Sequence, residues 1–448
     1  MTATSSVGST SQDPSKKTQV VDRLYRSLVE EEDARVCKDI PEEACTDVPR
    51  NFFKLGIAQT LTKLADELTS AKTVLPWLLT SLGAPPFWIG FLVPIRESGS
   101  LLPQMVIGAA VRRRPRRKEV WVLGGMLQSA ALLLMAVGAL VFRGWQAGIV
   151  LVGLLVLLSL ARGLCSVASK DVIGKTVPKT RRGRLAGYTT LVAGLLTLGL
   201  GAALTTVMAG DLSPPLLSLI LALSALLWMA ASAVFGRVQE VPGATEGGDS
   251  GLKEALRRLS LLRTDAPFRR FVAVRSLLVS TALAGPYYVM LARQYSGGAE
   301  LLALFLLASG LAAALSSVFW GRYADRSSRS VLITGAAMAS ALGVLVFLAD
   351  LSGTLGNHPW IAPLAFFLLA IAHSGVRIGR KTYVLDLASG ARRTDYVAVG
   401  NSVIGVVLLA GGLLGLLTPV LGSAGMLLVL SFLGVLGALG GRGLPEVQ

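Results

Sequence analysis

The sequence has 448 residues, of which 52% are hydrophobic and only 16% are charged, and its mean hydropathy is +0.61. A water-soluble domain carries about a quarter charged residues, so the composition excludes an ordinary soluble protein and indicates an integral membrane protein. The net charge of +16 is compatible with nucleic-acid binding. The basic residues cluster in short loops between apolar runs, however, which favours a membrane protein without a nucleic-acid partner.

Apolar runs of about twenty residues recur along the chain, and each is long enough to cross the hydrocarbon layer of a bilayer as a helix. They do not show the alternation that is typical of barrel strands. We therefore predict an all-α membrane protein in contact with the lipid bilayer. Its twelve transmembrane helices are predicted at 52–81, 86–109, 120–142, 146–169, 185–209, 214–236, 270–293, 300–320, 331–351, 360–382, 396–418 and 422–440.

Lysine and arginine residues are unequally distributed between the two sides of the predicted membrane. They crowd alternate loops, at 112–118, 170–184, 237–270, 322–329 and 377–393. The loops between these contain only Arg143 and Arg293. The positive-inside rule then places both the N terminus and the C terminus in the cytoplasm, which agrees with an even number of spans. We expect a multi-pass protein of the plasma membrane or of a bacterial inner membrane.

The longest internal loop, 237–269, divides the predicted spans into two groups of six. Its segment "LKEALRRLSLLR" places Leu252, Leu256, Leu259 and Leu262 on one face, so we predict a short amphipathic helix on the inner leaflet. The predicted organisation is a cytoplasmic tail (1–51), an N-terminal six-helix bundle (52–236), the cytoplasmic linker (237–269), a C-terminal six-helix bundle (270–440) and a short cytoplasmic tail (441–448).

The two bundles share an internal repeat with an offset of 211 residues. The segment "KDVIGKTVPKTRRGRLAG" begins at 170 and "KTYVLDLASGARRTDYVA" begins at 381, so that two adjacent arginines coincide. The same offset places 111–125 on 322–336. Two pseudo-symmetric six-helix halves are typical of transporters, in which the substrate path lies between the halves. We expect the protein to work as a monomer.

One loop of the second half also resembles a known family. The segment "GRYADRSSRSVLI" at 321–333 resembles the loop signature of the major facilitator superfamily. The matching positions are Gly321, Ala324, Asp325, Arg326 and Arg329. The segment "VPKTRRGRLAG" at 177–187 is similar to the loop between helices four and five of that family, whereas the first-half counterpart of the signature departs from the pattern, with Arg114 in place of Asp. The resemblance implies the major facilitator fold and a twelve-helix permease.

The same resemblance implies a gate. In that family the loop aspartate joins the cytoplasmic ends of the two halves by accepting hydrogen bonds at a helix N terminus, where the helix dipole favours an anion. By pseudo-symmetry we expect Asp325, supported by the rest of its signature, to meet the start of helix five near Arg182 and Arg184.

Ionisable residues within the predicted spans point to the site. A charge facing lipid costs at least ~2.5–3.5 kcal/mol, so these side chains are expected to face each other or a wet cavity. The predicted substrate and proton site consists of Asp66, Glu67, Lys72, Arg96, Glu97, Arg162, Arg275 and His373, the last being the repeat counterpart of Arg162. The excess of cations among them favours a small-molecule substrate with a negative group.

The first predicted helix carries a polar stripe that allows two interpretations. Gln59, Lys63, Asp66 and Glu67 share one face at helical spacing, whereas Lys72 is predicted on the opposite face, from which it could reach a carboxylate such as Glu97. In one interpretation Lys63 and Glu67 form an inert i,i+4 ion pair. In the other, Asp66 binds a proton or the substrate, because protonation removes a charge that the membrane disfavours.

The functional alternatives differ in class. The sequence contains no P-loop, H-E-x-x-H or G-x-S-x-G motif, so we predict neither ATP-driven transport nor an enzyme. The only histidines, His358 and His373, lie far from Cys37 and Cys45, so no zinc site, metal site or cofactor is predicted. The favoured function is a secondary transporter coupled to protons or another ion; the alternative is a non-transporting scaffold or assembly factor with the same fold.

Overall fold

The computed structural model describes residues 25, 42–102, 107, 111, 113–207, 213–243, 259–295, 299–324, 326–387 and 392–447. Within these ranges the chain forms helices joined by short connections, and no strand is present. The all-α prediction is therefore confirmed for this part of the chain. The predicted N-terminal tail, apart from its last ten residues and Tyr25, and the first part of the predicted amphipathic helix lie outside the described residues.

The long helices follow one another along the whole described chain. Helices α1 to α7 are Val48–Leu68, Val74–Ser81, Phe87–Leu101, Arg117–Val141, Gly144–Thr176, Lys179–Val207 and Pro214–Gly236. Helices α8 to α15 are Ala266–Leu278, Ser280–Leu283, Gly285–Tyr295, Ala299–Ala324, Ser328–Leu351, Ile361–Leu387, Arg392–Gly412 and Thr418–Arg442. Shorter helical segments are Glu42–Cys45, Leu261–Thr264, Thr354–Asn357 and the 3₁₀ helix Leu413–Leu417.

Eight segments of the described chain are long and apolar enough to cross a membrane. The predicted span 52–81 is not among them, because it is interrupted and its first helix carries several charges. The predicted span 86–109 is also absent, and it is described as a continuous helix only as far as Leu101. The predicted span 300–320 contributes a shorter apolar helix, and the last two predicted spans are joined in one 47-residue segment, Tyr396–Arg442. The fold is a helical membrane fold, and the number twelve stays a prediction.

Within each half, helices pack against sequence neighbours and against helices distant in the chain. Helix α4 packs against α5 and α7, and α1 packs against α6 and α7; later in the chain, α12 packs against α13 and α15, and α11 packs against α13. Small residues permit these close approaches: a Cβ atom on Gly124 would lie 2.8 Å from Cys165 Sγ, and one on Gly335 would lie 2.8 Å from the carbonyl oxygen of Ala372. Such packing of small residues is the usual way in which membrane helices associate.

Two of the predicted helices are interrupted at equivalent positions. Helix α1 ends at Leu68 and α2 begins at Val74. In the second repeat α8 ends at Leu278, the short α9 follows, and α10 begins at Gly285, which follows Val74 by the 211 residues of the sequence repeat. Lys72 lies in the first interruption. The prediction that it points away from the polar stripe was therefore wrong, because its direction was derived for an unbroken helix.

Candidate functional site

A cavity of about 280 Å³ lies between the two interrupted helices. Its walls come from α1 and the turn after it, from α3 and α5, and from α9, α10, α11 and α13. The ionisable side chains that line it are Asp66, Glu67, Lys72, Arg96, Glu97, Arg162, His373 and Arg377. Seven of the eight residues predicted from the sequence are thus brought together from distant parts of the chain.

Asp66 is the common partner of two arginines. Arg96 Nη2 donates to Asp66 Oδ1 at 2.7 Å, and Arg162 Nη1 donates to the same oxygen. Helices α1, α3 and α5 each supply one of these three side chains, which are 21%, 11% and 36% exposed respectively. The two guanidinium groups repel each other in this partly dehydrated site, and the carboxylate between them compensates that repulsion.

Glu67 has a different environment from its neighbour Asp66. Ser309 Oγ, on α11, donates to Glu67 Oε2 at 3.1 Å. Lys63 instead donates to Thr189 Oγ1 at 3.0 Å and to Thr190 Oγ1 at 2.5 Å, both on α6. The inert Lys63–Glu67 pair is therefore not formed, and Glu67 is linked to a helix of the second repeat by a neutral hydroxyl group.

Glu97 lies among several positive charges without an ion pair to any of them. Lys72, Arg380, Arg162 and Arg96 are the cations whose charges act on it. In the part of the chain that the structure describes, neither Glu97 nor Lys72 has a salt-bridge partner within 4.0 Å. Gly285 gives Lys72 room beside the second interrupted helix, because a Cβ atom there would lie 3.2 Å from the Cβ of Lys72. Lys72 thus does not form the ion pair with Glu97 that its length would allow, although its charge acts on that carboxylate.

Helix α13 supplies three basic side chains to this region. His373 Nδ1 lies 3.0 Å from Thr281 Oγ1, and Arg377 and Arg380 follow after one and two turns of the helix. The assignment of 377–393 to a loop was wrong, because α13 continues to Leu387. Because Arg377 and Arg380 follow His373 by four and seven residues, they lie on the same face of the helix as His373. This spacing is visible in the sequence and could have identified both arginines.

Ser309 was also missed, and Arg275 was assigned to the site incorrectly. A single serine within an apolar run gives no recognisable signal for a cavity. Arg275 is 7% exposed and lies outside the cavity lining. Its Nη2 donates to Asn401 Oδ1 on α14 at 2.9 Å, so this buried guanidinium group has a neutral partner within the helix packing.

The predicted gate is described only in part. Asp325 lies outside the described residues. Arg182, near the start of α6, donates from Nε to the carbonyl oxygen of Val177 at 2.9 Å and from Nη2 to that of Gly174 at 2.7 Å. These bonds satisfy carbonyl groups that the end of α5 leaves unpaired. Arg184 is exposed.

The other signature residues lie near the C-terminal end of the chain. Arg329 Nη1 donates to the carbonyl oxygen of Leu444 at 3.0 Å, and Arg329 Nε lies 3.0 Å from Glu446 Oε2. Arg326 is exposed, and a Cβ atom on Gly321 would meet no atom within 4 Å. Arg329 thus joins the start of α12 to the segment after α15, a contact that the sequence did not predict.

The cavity is closed on one side by contacts between the two repeats. The Arg293 guanidinium lies over the Trp77 ring, 5.0 Å from its centroid. The backbones of Gly90 and Gly415 approach so closely that a Cβ atom on Gly90 would lie 2.6 Å from the Cα of Gly415. Toward the opposite end of α13, Arg377 and Lys381 are exposed. Solvent therefore reaches the cavity from the end at which Lys381 lies.

A family model and a curated relative match the chain. The family model described as Major Facilitator Superfamily matches residues 67–292. A relative in Mycobacterium tuberculosis, described as uncharacterized protein Rv2209, is 22% identical over 363 residues, which are 80% of this chain and 70% of the relative.

Solved structures resemble the chain over most of its length. A D-xylose-proton symporter has a TM-score of 0.68 at 16% identity, covering 88% of this chain and 98% of the symporter. The nucleoside transporter NupG has a TM-score of 0.67 at 12% identity, covering 88% of this chain and 99% of that protein. At these identities the likeness establishes the fold.

Proposed function

Because the chain belongs to the Major Facilitator Superfamily, a family of membrane transporters and not of enzymes, we propose that it moves a small solute by alternating access as a secondary active transporter. The observation that carries this proposal is the cavity of ionisable side chains between the two interrupted helices. Substrate sites of transporters built from repeats lie between the repeats and are formed by discontinuous helices. The cavity has both properties.

We propose the complete architecture on the same basis: twelve membrane helices in two bundles, 52–236 and 270–440, with both termini in the cytoplasm. The equivalent interruptions at Leu68 and Leu278 support the division into two halves. Since Lys381 lies on the side with the basic loops, the accessible end of the cavity is cytoplasmic under the positive-inside rule. The structure then corresponds to an inward-open state.

We propose Glu67 as the residue that couples transport to protons. Asp66 is held by two guanidinium groups and would lose both interactions on protonation. Glu67 is bonded to Ser309, whose hydroxyl group donates to a carboxylate and accepts from a protonated carboxyl group. The other charges that act on Glu67 are those of Asp66, Lys72 and Arg377. Because Glu67 and Ser309 belong to different repeats, its protonation can bias the contact between the halves.

The direct test is gradient-driven uptake by the purified full-length protein in proteoliposomes. Small organic anions are supplied one at a time, with and without a pH gradient, and solute uptake and lumenal pH are followed together. We expect at least one solute to accumulate with the gradient. Glu67→Gln should still exchange that solute across the membrane, but should lose the accumulation that the proton gradient drives.

The matched control is Glu300→Gln, the same chemical change at an exposed position on α11, which should accumulate solute as the unmodified protein does. Accumulation that Glu67→Gln leaves intact would exclude Glu67 as the coupling residue. If the folded protein moved no organic solute, with or without a gradient, the scaffold alternative would be supported instead.

A further inference from the structure

The cations around the cavity divide into those with a partner and those without one. Arg96 and Arg162 both bond to Asp66. Lys72, Arg377 and Arg380 have no ion pair within 4.0 Å in the part of the chain that the structure describes. These three unpaired cations come from the first interruption and from α13, and we call them the α13 cation group.

Only one carboxylate is available to balance the α13 cation group. Asp66 is occupied by its two arginines, and Glu67 is bonded to Ser309. Among the cations, Lys72 and Arg380 have the strongest electrostatic interaction with Glu97. Glu97 nevertheless lies more than 4.0 Å from every cationic nitrogen of the described chain. Three cations and one carboxylate leave a surplus of two positive charges. Such a surplus in a partly dehydrated place is costly unless a ligand or counter-ions compensate it.

The space beside the α13 cation group is suited to a ligand. Small residues contribute to the cavity wall beside Phe366 and Leu369: Ala282, Gly285, Ala313 and Ala370. His373 uses Nδ1 toward Thr281, which leaves Nε2 of its ring for another contact. Arg96 Nη1 is buried without a hydrogen-bond partner, and its side chain is only 11% exposed. The cavity therefore presents buried donors from both repeats.

We propose that the transported solute is a small dianion whose negative groups bind to Lys72 and Arg377, which line the cavity, with the charge of Arg380 acting from beyond the lining; this inference rests on the proposed transport function. The shared chemistry is that of a dicarboxylate or a phosphate monoester, because a guanidinium group can donate two parallel hydrogen bonds to two oxygens of a carboxylate or of a phosphate group. A monoanion leaves one positive charge uncompensated. A zwitterion brings an ammonium group toward the α13 cation group.

The test uses purified full-length protein in detergent at a mildly alkaline pH, where inorganic phosphate is mainly a dianion. Thermal unfolding is followed with inorganic phosphate, succinate, butyrate or glutamine, each at the same ionic strength set with sodium chloride. Since a ligand that binds only the folded state stabilises it, we expect phosphate or succinate to raise Tm in a saturable manner. Butyrate and glutamine should have no such effect.

Arg377→Gln and Lys72→Gln should each weaken the apparent Kd for the dianion at least ~10-fold, as expected for the loss of a charge-assisted contact. The matched control is Arg322→Gln, which removes an exposed arginine of α11 outside the cavity and should leave the Kd unchanged. Arg377→Lys keeps the charge without the bidentate geometry and should recover part of the affinity.

Three outcomes would overturn the inference: no saturable effect of either dianion, an equal effect of butyrate or glutamine, or a dianion effect that both cavity variants retain. The proposed function is judged separately, by uptake. A neutral or cationic solute that is bound and accumulated would overturn the dianion assignment and leave the transporter standing. A dianion that binds at these residues but is never moved would support the binding site and contradict transport.

Discussion

The first helix of each repeat breaks at the same position, but the two breaks differ in geometry and in chemistry. Thr73 leaves the helical conformation in the first, whereas its counterpart Ala284 keeps it after the short α9 in the second. The first carries Asp66, Glu67 and Lys72, whereas leucines stand at the equivalent positions 277, 278 and 283 of the second. An interruption in a membrane helix frees backbone groups that must be satisfied by neighbours or by water in a cavity. Residues at both breaks line the cavity, and of the two breaks only the first carries ionisable side chains there.

The second repeat supplies its charge from α13 instead. The first repeat pairs Arg162 of α5 with a carboxylate, but the equivalent helix, α13, carries His373, Arg377 and Arg380, and none of these has an ion pair in the described chain. The first repeat lines the cavity with three basic side chains and three carboxylates, whereas the second lines it with His373 and Arg377 and no carboxylate. One wall is therefore neutral as a whole and the other is positive, and under the proposed function the positive wall is the one that binds the solute.

Asp66→Asn is the most direct test of the difference between the two walls of the cavity. It removes the counter-ion of Arg96 and Arg162, so that the first wall acquires the uncompensated charge of the second. Breaking a buried ion pair costs ~3–5 kcal/mol; because these side chains are partly exposed, we expect the free energy of unfolding to fall by about 2–3 kcal/mol. Thermal unfolding in detergent measures this, and uptake should fall at least tenfold.

The adjacent variant Glu67→Gln is the matched control for stability. It makes the same chemical change one residue away, where the partner is a neutral serine. Its Tm should lie close to that of the unmodified protein. Equal losses of stability in the two variants would contradict the distinction between a carboxylate that holds charges and one that exchanges a proton.

Gly90→Ala tests whether the closed side of the cavity depends on direct backbone contact between the repeats. The new Cβ atom would lie 2.6 Å from Gly415 Cα, and a backbone atom cannot yield as a flexible side chain can. Overpacking costs about 1–3 kcal/mol, so we expect the population to shift away from the state closed on this side. Labelling of Ala370→Cys by a membrane-impermeant maleimide from the side of Trp77 should increase.

Gly153→Ala is the control for that experiment, because a Cβ atom at Gly153 on α5 meets nothing within 4 Å. It should leave the labelling rate unchanged. If Gly90→Ala gave the same labelling rate as this control, the contact at Gly415 would not be part of the closure.

Lys63→Gln has a smaller expected effect. The lysine bonds to Thr189 and Thr190 near the edge of the cavity, and the net contribution of such hydrogen bonds is about 1 kcal/mol. We expect a comparable loss of stability and no change in proton-driven accumulation. Loss of coupling in this variant, as in Glu67→Gln, would revive the interpretation that Lys63 and Glu67 act as a pair.

The sequence predicted the helical membrane fold and most of the ionisable residues that line the cavity. A charge such as that of Arg162 within an apolar run is costly in contact with lipid, so it is expected to face a hydrated interior. It did not predict the interruption after Leu68, since "TSAKT" contains neither proline nor glycine and the geometry follows from packing against the other repeat. Arg275 shows the limit of the same reasoning: its Nη2 donates to the half-buried amide of Asn401, away from the cavity. Such a partner is visible only in three dimensions.

Arg377→Gln should have the smallest effect on the free energy of unfolding, and unlike Asp66→Asn it should not lower it. The charge of Arg377 acts on Lys72 and Arg380, which are also positive, and on Glu67. Removing it should relieve repulsion from Lys72 and Arg380, so the free energy of unfolding should stay equal or rise by up to about 0.5 kcal/mol. Thermal unfolding at low salt measures the change, which should shrink as salt screens the repulsion. A fall comparable to that of Asp66→Asn would mean that Arg377 holds the helices together, and that the second wall, like the first, is neutralised from within.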